Sequence, residues 1–341
     1  MNVLHAWGYS SADAVQVSGG LINQTWRILT ADGPLILQWL NTDIFSPLVH
    51  HDIALITNKL SEAGMVTPRL VPTLTGALWH TENGRTWRLM SEVGERTIQT
   101  IGTLTEAESA GHLVGRFHAA LGLEQIAFQS VRPGAHDTVK HMETMAKAVR
   151  DHTDHRLAAP VKVVANEVGR LWEQWPGDLS SGQRRVIHGD LKISNIRFSG
   201  ERALALIDLD TMAMSTLDIE LGDAMRSWCN AGGEDAAAGF DLSIFGAAMR
   251  GYAQGSANVP LKEEEFSRIA SGVLRITLEL SARFAADALN ECYFGYDESF
   301  GGRGEHNLLR AQGQLALAKS VQAQLPQMVQ LVQLAFDGAK D

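Results

Sequence analysis

Apolar and polar positions alternate in short runs over the first ninety residues, and glycine and proline break the runs. Val15-Gln16-Val17, Thr25-Trp26-Arg27-Ile28-Leu29 and Leu35-Ile36-Leu37-Gln38-Trp39-Leu40 read as strands. They are joined at Ser18-Gly19-Gly20 and Asp32-Gly33-Pro34, and Trp87-Arg88-Leu89-Met90 reads as a further strand. Between them, over 47–60, Val49, Ile53, Ile56 and Leu60 recur at helical spacing, which predicts a helix packed against this sheet. Beyond residue 92 the period becomes helical. Thr105 and Glu108 form a capping box ahead of Ala110, Leu113, Val114, Phe117 and Leu121. Residues 136–179 suit helices broken at Pro160 and Pro176, 274–289 suits another helix, and 315–336 suits two closing helices either side of Pro326. Two strands interrupt this half: Ile196-Arg197-Phe198 and Leu204-Ala205-Leu206-Ile207, with a turn at Ser199-Gly200-Glu201. The pattern predicts an α+β chain with a small N-terminal mixed β-sheet lobe, 1–92, and a large, mainly helical C-terminal lobe, 93–341. Ser91-Glu92-Val93-Gly94 connects the two.

Composition narrows the function classes. The 341 residues carry 29 basic and 39 acidic side chains, a net charge of −10, and no basic run suited to a phosphate backbone, so nucleic-acid binding is excluded. Two cysteines, Cys229 and Cys292, make neither a disulfide framework nor a thiolate zinc site. No secretory leader pattern and no stretch of eighteen apolar residues is present, which predicts a cytoplasmic protein with no membrane partner.

The candidate chemistry lies in His188-Gly189-Asp190-Leu191-Lys192-Ile193-Ser194-Asn195, followed thirteen residues later by Asp208-Leu209-Asp210. Asp190 follows the apolar Val186-Ile187 in a tight loop, where a carboxylate can meet a substrate hydroxyl. Asn195 is then left for a metal. Asp208 ends an apolar strand, where a carboxylate is costly without a cation or hydrogen-bond donors. These are the roles of phosphoryl transfer: Asp190 orients and deprotonates the acceptor, while Asn195, Asp208 and Asp210 hold Mg²⁺ on the phosphates of ATP.

At these residues the chain resembles the aminoglycoside phosphotransferase and choline kinase superfamily, whose pattern is H-x-D-x4-N followed by a strand ending in I-D. The segments Ile36-Leu37-Gln38-Trp39-Leu40-Asn41-Thr42-Asp43-Ile44-Phe45 and Glu305-His306-Asn307-Leu308-Leu309-Arg310 look like those of N-acetylhexosamine 1-kinase-like proteins. The resemblance runs from about Val17 to Gln324. It implies a bilobal protein-kinase-like fold and an acceptor such as an N-acetylhexosamine, phosphorylated at its anomeric hydroxyl. In that fold the turn at Gly19 and Gly20 covers the nucleotide phosphates, because glycine lets backbone N–H groups approach them. A hairpin turn without a ligand is the plainer reading. Glu92 and Gly94 would lie along the adenine edge.

A protein-kinase template places a lysine on the third strand, but this strand carries Gln38 and the first ninety residues hold only Lys59. Lys192 and Arg27 are the candidates for the missing cation. Asp218 and Asp223 follow the metal loop and are expected to tie the catalytic loop through its backbone N–H groups. His118, on the first C-terminal helix, is expected to be structural. Glu279, Arg283 and Asp287 recur at i, i+4 and i+8 and, with Tyr293, His306, Asn307 and Arg310, are candidates to hold the acceptor. The alternative is a surface row of ion pairs. A homodimer is admitted as a partner. An amino alcohol or aminoglycoside acceptor, and a nucleotide-binding pseudokinase, remain as alternative functions.

Overall fold

The computed structural model describes residues 2–9, 13–17, 23–31, 33–131, 134–179, 182–236, 239–259 and 261–339; Gly19 and Gly20 lie outside them. Strands β1 (Asp13–Val17), β2 (Gln24–Thr30), β3 (Gly33–Leu40), β4 (His80–Glu82) and β5 (Arg85–Ser91) form one sheet in the order β1-β2-β3-β5-β4. Every pairing is antiparallel, so the sheet is not mixed. Short connections dictate this for β1-β2, β2-β3 and β4-β5, since parallel pairing needs a long crossover, whereas β3 and β5 pair across the segment that holds α1.

One face of the sheet buries Ile28, Leu37, Trp87 and Leu89 beneath Val3, Leu4 and Trp7 of an N-terminal 3-10 helix, Asn2–Trp7. Helix α1 (Val49–Glu62) buries Val49, Ile53, Ile56 and Leu60, as its spacing predicts. That face joins the larger helical core with Leu40 and Phe45, and not the small sheet core. The sheet's apolar face is already covered by residues 2–7, so α1 turns toward α2 (Leu104–Leu121).

The larger part contains α2, α3 (Thr138–Asp151), α4 (Ala158–Glu173), α5 (Leu217–Trp228), α6 (Leu242–Gly255), the short α7 (Glu263–Phe266), α8 (Ile269–Asn290) and α9 (Arg303–Asp337). Two small antiparallel pairs are set among them: β6 (Arg184–Ile187) with β9 (Ala213–Thr216), and β7 (Ile196–Ser199) with β8 (Arg202–Leu206). No helix among the described residues is long and apolar enough to cross a membrane.

Three local expectations shift. The capping box of α2 uses Thr103 and Glu106: Thr103 Oγ1 accepts the Glu106 N–H at 3.1 Å and the Glu106 carboxylate accepts the Gly102 N–H at 2.8 Å. Pro160 opens α4 from its first turn, where proline costs little because the N–H would lack a helical partner anyway. Pro326 lies inside a continuous α9 instead of separating two helices. Burial of Leu317 and Val321 before it and of Met328, Val332 and Phe336 after it holds the helix through the proline. Phe336 stacks on Phe266 with ring centroids 4.6 Å apart.

Helices α2 and α6 cross with their backbones in contact, which requires glycine on both. A Cβ at Gly111 would fall 2.0 Å from the Ala248 carbonyl oxygen, and one at Gly251 would fall 1.9 Å from that of Glu108. Gly251→Ala is therefore expected to lower stability by about 1–3 kcal/mol or more. A urea titration measures this, and an unchanged midpoint would mean that the helices part without cost.

Candidate active site

The loop after β6 is held from beneath by α5. The Glu220 carboxylate accepts the backbone N–H groups of His188 at 2.8 Å and Gly189 at 3.0 Å. Trp228 Nε1 donates to the Leu191 carbonyl at 2.7 Å, and Ser227 Oγ accepts the Ile193 N–H at 3.1 Å. His188 Nε2 lies 2.9 Å from the Ile207 carbonyl, to which it donates, and Nδ1 accepts the Asp190 N–H at 3.3 Å. Gly189 has φ +79°, and a Cβ there would fall 2.5 Å from the Thr211 carbonyl oxygen, so a side chain cannot be accommodated. The loop-tying role expected of Asp218 and Asp223 thus belongs to Glu220, whose place in the α5 pattern gave no sign of it. Asp218 lies 3.8 Å from Arg275 instead.

Asn195 folds back over Asp190: its Nδ2 donates to the Asp190 carbonyl at 2.8 Å and to Oδ2 at 3.0 Å. Lys192 Nζ is 3.2 Å from the same Oδ2. Burial opposes the lysine charge, but Asp190 and Asp208 outweigh it and hold the Lys192 pKa above its ordinary value. Because the Asn195 amide nitrogen is engaged by Asp190, its Oδ1 is the atom left for a cation.

Asp208 stands in the left-handed region at φ 63°, ψ 53°, at the start of a 3-10 turn, Leu209–Thr211. Burial, then the negative charges of Asp210 and Asp190, push its carboxyl up to about 6. This surplus of negative charge next to an amide oxygen fits a hard divalent cation, which takes oxygen donors. Below pH ~6 Asp208 is largely protonated in the free protein, so binding of a divalent cation must expel a proton. Calorimetry of Mg-nucleotide binding at pH 5.5 in buffers of different ionisation enthalpy should show that release, which should disappear in Asp208→Asn.

Asp210 does not share this position. Both its oxygens bind the Arg88 guanidinium of β5, Nη2 at 2.8 Å from Oδ2, and Asn23 Nδ2 donates to Oδ2 at 2.7 Å. Burial would raise the Asp210 pKa, yet Arg88 outweighs it and holds the carboxyl below its ordinary value. The expected metal role of Asp210 is corrected accordingly: its carboxylate is engaged in a buried pair. Gln38 Oε1 accepts from Arg88 Nε at 2.9 Å, so Gln38 orients the arginine that joins the sheet to the turn at Asp210. The cross-strand register Gln38↔Arg88 makes this possible.

The two other nucleotide candidates on this side are paired with each other, Arg27 Nε lying 2.8 Å from Glu92. Arg27 is therefore not the free phosphate cation the sequence offered. Arg197 on β7, which sequence reasoning passed over, lies 3.7 Å from Glu92 and donates to the carbonyls of Val93 at 2.8 Å and Gly94 at 3.0 Å. It fixes the backbone at residues 93 and 94.

The α8 row is not an open stripe. Glu279 is buried, accepting from the Thr138 hydroxyl at 2.5 Å and bonded to His136 Nδ1 at 3.2 Å. Asp287 accepts the backbone N–H groups of Cys292, Tyr293 and Phe294, and Asn307 donates to it at 2.9 Å. Both build the turn after α8. His306 and Arg310 each lie 2.8 Å from Asp235 Oδ1. The Arg283 guanidinium lies 5.4 Å from the centre of the Phe294 ring and 5.9 Å from that of Tyr293, and Tyr293 is exposed. His118 is buried and bonded to the Tyr252 hydroxyl at 2.9 Å.

Asp223 matters more than its sequence position suggested. It stands one helical turn before Ser227, which touches the catalytic loop, and its Oδ1 binds Arg226 at 2.9 Å. Its Oδ2 is buried with no hydrogen-bond partner among the described residues.

Comparison with known proteins shows the family and the fold. Residues 13–254 match the model of the phosphotransferase enzyme family. Over 220 residues the chain is 28% identical to a homoserine kinase of Rhizobium meliloti (strain 1021) and 27% identical to one of Sinorhizobium medicae (strain WSM419). Each match spans 62% of this chain and 62% of the curated relative. Its fold is that of the microcompartment-associated aminopropanol kinase (TM-score 0.63, 16% identity, 95% and 96% of the two chains). It is also that of the amicoumacin kinase hAmiN solved with AMP-PNP, Ca²⁺ and Ami (TM-score 0.62, 12% identity, 91% of each chain). These matches carry the broad superfamily resemblance and do not show its narrower form, to N-acetylhexosamine 1-kinases.

Proposed function

The chain belongs to the phosphotransferase enzyme family, and we propose that it transfers the γ-phosphoryl group of ATP to a hydroxyl of a small molecule. The observation that carries this reading is Asp190 held between Asn195 and Lys192 beside the charge-loaded Asp208. The acceptor oxygen attacks the γ-phosphorus, its proton passes to the Asp190 carboxylate, and the bond to the β-phosphate oxygen breaks to release ADP. Lys192 offsets phosphate charge. Asn195 Oδ1 and Asp208 would hold Mg²⁺, which neutralises the phosphate oxygens when bound. In this reading residues 1–92 cover the nucleotide, and residues 93–341 carry catalysis and the acceptor. Val93 and Gly94, fixed by Arg197, border the base.

For the acceptor we favour a neutral polyol such as an N-acetylhexosamine. Asp223 Oδ2 needs a donor, and its neighbourhood already holds Arg226, Lys192 and His136. Burial lowers the His136 pKa, but Glu279 more than reverses this, so the ring gains positive charge. A hydroxyl satisfies the carboxylate there without adding another cation. The homoserine kinase relatives support a second reading, an amine-bearing acceptor such as a hydroxy amino acid or amino alcohol, whose ammonium meets Asp223. Incubation with Mg-ATP and a panel of hexosamines, homoserine, choline and aminoglycosides, followed by ADP release and phosphorus NMR, separates the two. Nucleotide binding with no ADP release for any acceptor would favour a pseudokinase. Asp223→Asn is expected to raise the acceptor KM at least about tenfold with nucleotide affinity retained, the loss expected of an unpaired charged hydrogen bond. A fall in kcat alone would show that Asp223 serves only Arg226.

A further inference from the structure

The edge of the sheet carries a second cluster of donor groups that phosphoryl transfer does not use. His80 and Glu82 are two residues apart on β4, so they share a face of the edge strand. The cross-strand partner of His80 is Trp87, which packs into the small core beneath Val3, Leu4 and Trp7. His5 lies on the 3-10 helix that covers this core. One ligand atom from each of His5, His80 and Glu82 falls within 4.8 Å of the other two. Arg88, the next residue on β5, points to the opposite face and to Asp210. The cluster and the catalytic loop are thus on opposite sides of the sheet.

We propose that His5, His80 and Glu82 bind one divalent transition-metal ion, Zn²⁺ foremost. Two imidazoles and a carboxylate are the donor set for such an ion and a poor one for Mg²⁺ or Ca²⁺, which take oxygen ligands. His80 Nε2 is enclosed and has no hydrogen-bond partner among the described residues, an arrangement that a metal bond would satisfy. The backbone is already placed. Leu74 N–H donates to the Ala6 carbonyl at 2.9 Å, Gly8 N–H to the His5 carbonyl at 3.0 Å, and Trp7 Nε1 to the Val71 carbonyl at 2.8 Å. Arg85, opposite Glu82, lies over the Trp39 ring at 4.3 Å. With metal–ligand bonds near 2.0 Å, tetrahedral donors sit about 3.3 Å apart, so the three donors, now within 4.8 Å of one another, draw closer when the ion binds. His5 is exposed, so an ion can reach the cluster from solvent. The ion would tie residues 2–7 to the edge strand and so brace the small lobe without touching the reaction.

The test is a Zn²⁺ titration of the full chain, free of any affinity tag and stripped with chelator, followed by calorimetry, melting temperature and the visible spectrum of the Co²⁺ form. One ion per chain, a rise in melting temperature, and at least a tenfold loss of affinity in both His80→Gln and the exposed variant His5→Ala are expected. ADP release should be unchanged in both variants, which separates failure here from failure of the kinase reading. Absence of binding at micromolar Zn²⁺, or binding that both variants retain at full affinity, overturns the site.

Discussion

Asp190→Asn is expected to lower turnover by roughly 10²–10⁴-fold, the usual contribution of a positioned general base, while Mg-ATP still binds. The substitution preserves shape, and the backbone carbonyl of residue 190 still accepts from Asn195 Nδ2, a bond now 2.8 Å long. What is lost is the acceptor for the hydroxyl proton and the anionic partner of Lys192, 3.2 Å away. Asn195 and Asp208, the groups assigned to the metal, remain. Single-turnover measurement of ADP formation, set beside calorimetry of nucleotide binding, distinguishes the two effects. Wild-type-like turnover would remove Asp190 from the reaction, and loss of nucleotide affinity would mean that the loop collapses without its carboxylate.

The second large effect is expected at the Arg88–Asp210 pair. Both side chains are almost wholly buried, and Asn23 and Gln38 complete their hydrogen bonding. Asp210→Asn would leave the Arg88 charge buried without its counter-charge, at a cost of about 3–5 kcal/mol. Arg88→Met together with Asp210→Leu removes both charges and is expected to recover most of that stability, because desolvation opposes a buried pair from the start. Activity should not recover. Asp210 anchors the short turn in which Asp208 holds its left-handed backbone, and without the anchor the Mg-nucleotide affinity should fall in the double variant as well. Urea unfolding and nucleotide titration of the single and double variants form the cycle. Full nucleotide affinity in a stable double variant would show that the pair serves stability alone.

Much of the catalytic end was legible because its residues are close in sequence. The spacing from His188 to Asn195 and the strand ending at Asp208 lie within 21 residues, and local geometry brings Asn195 onto Asp190 wherever that loop forms. The helical periods of α1 and α2 likewise named buried positions, since each depends only on the repeat of one element. The sequence by itself therefore determined the fold class and the close approach of Asn195 to Asp190 in the loop proposed as catalytic.

Tertiary structure decided the partners. Arg88 meets Asp210 across 122 residues, and Glu220 reaches back 32 to cap the catalytic loop. No local repeat encodes such distances. The α8 row shows the same limit from the other side: Glu279 and Asp287 share a face as their spacing requires, yet one is bound by Thr138 and His136 and the other by the turn after the helix. Periodicity fixes which side chains point together, whereas hydrogen bonding is settled by whichever distant element packs there. A carboxylate's charge can be read from the chain, but whether it is free to bind a ligand depends on burial and on donors that only the folded packing supplies.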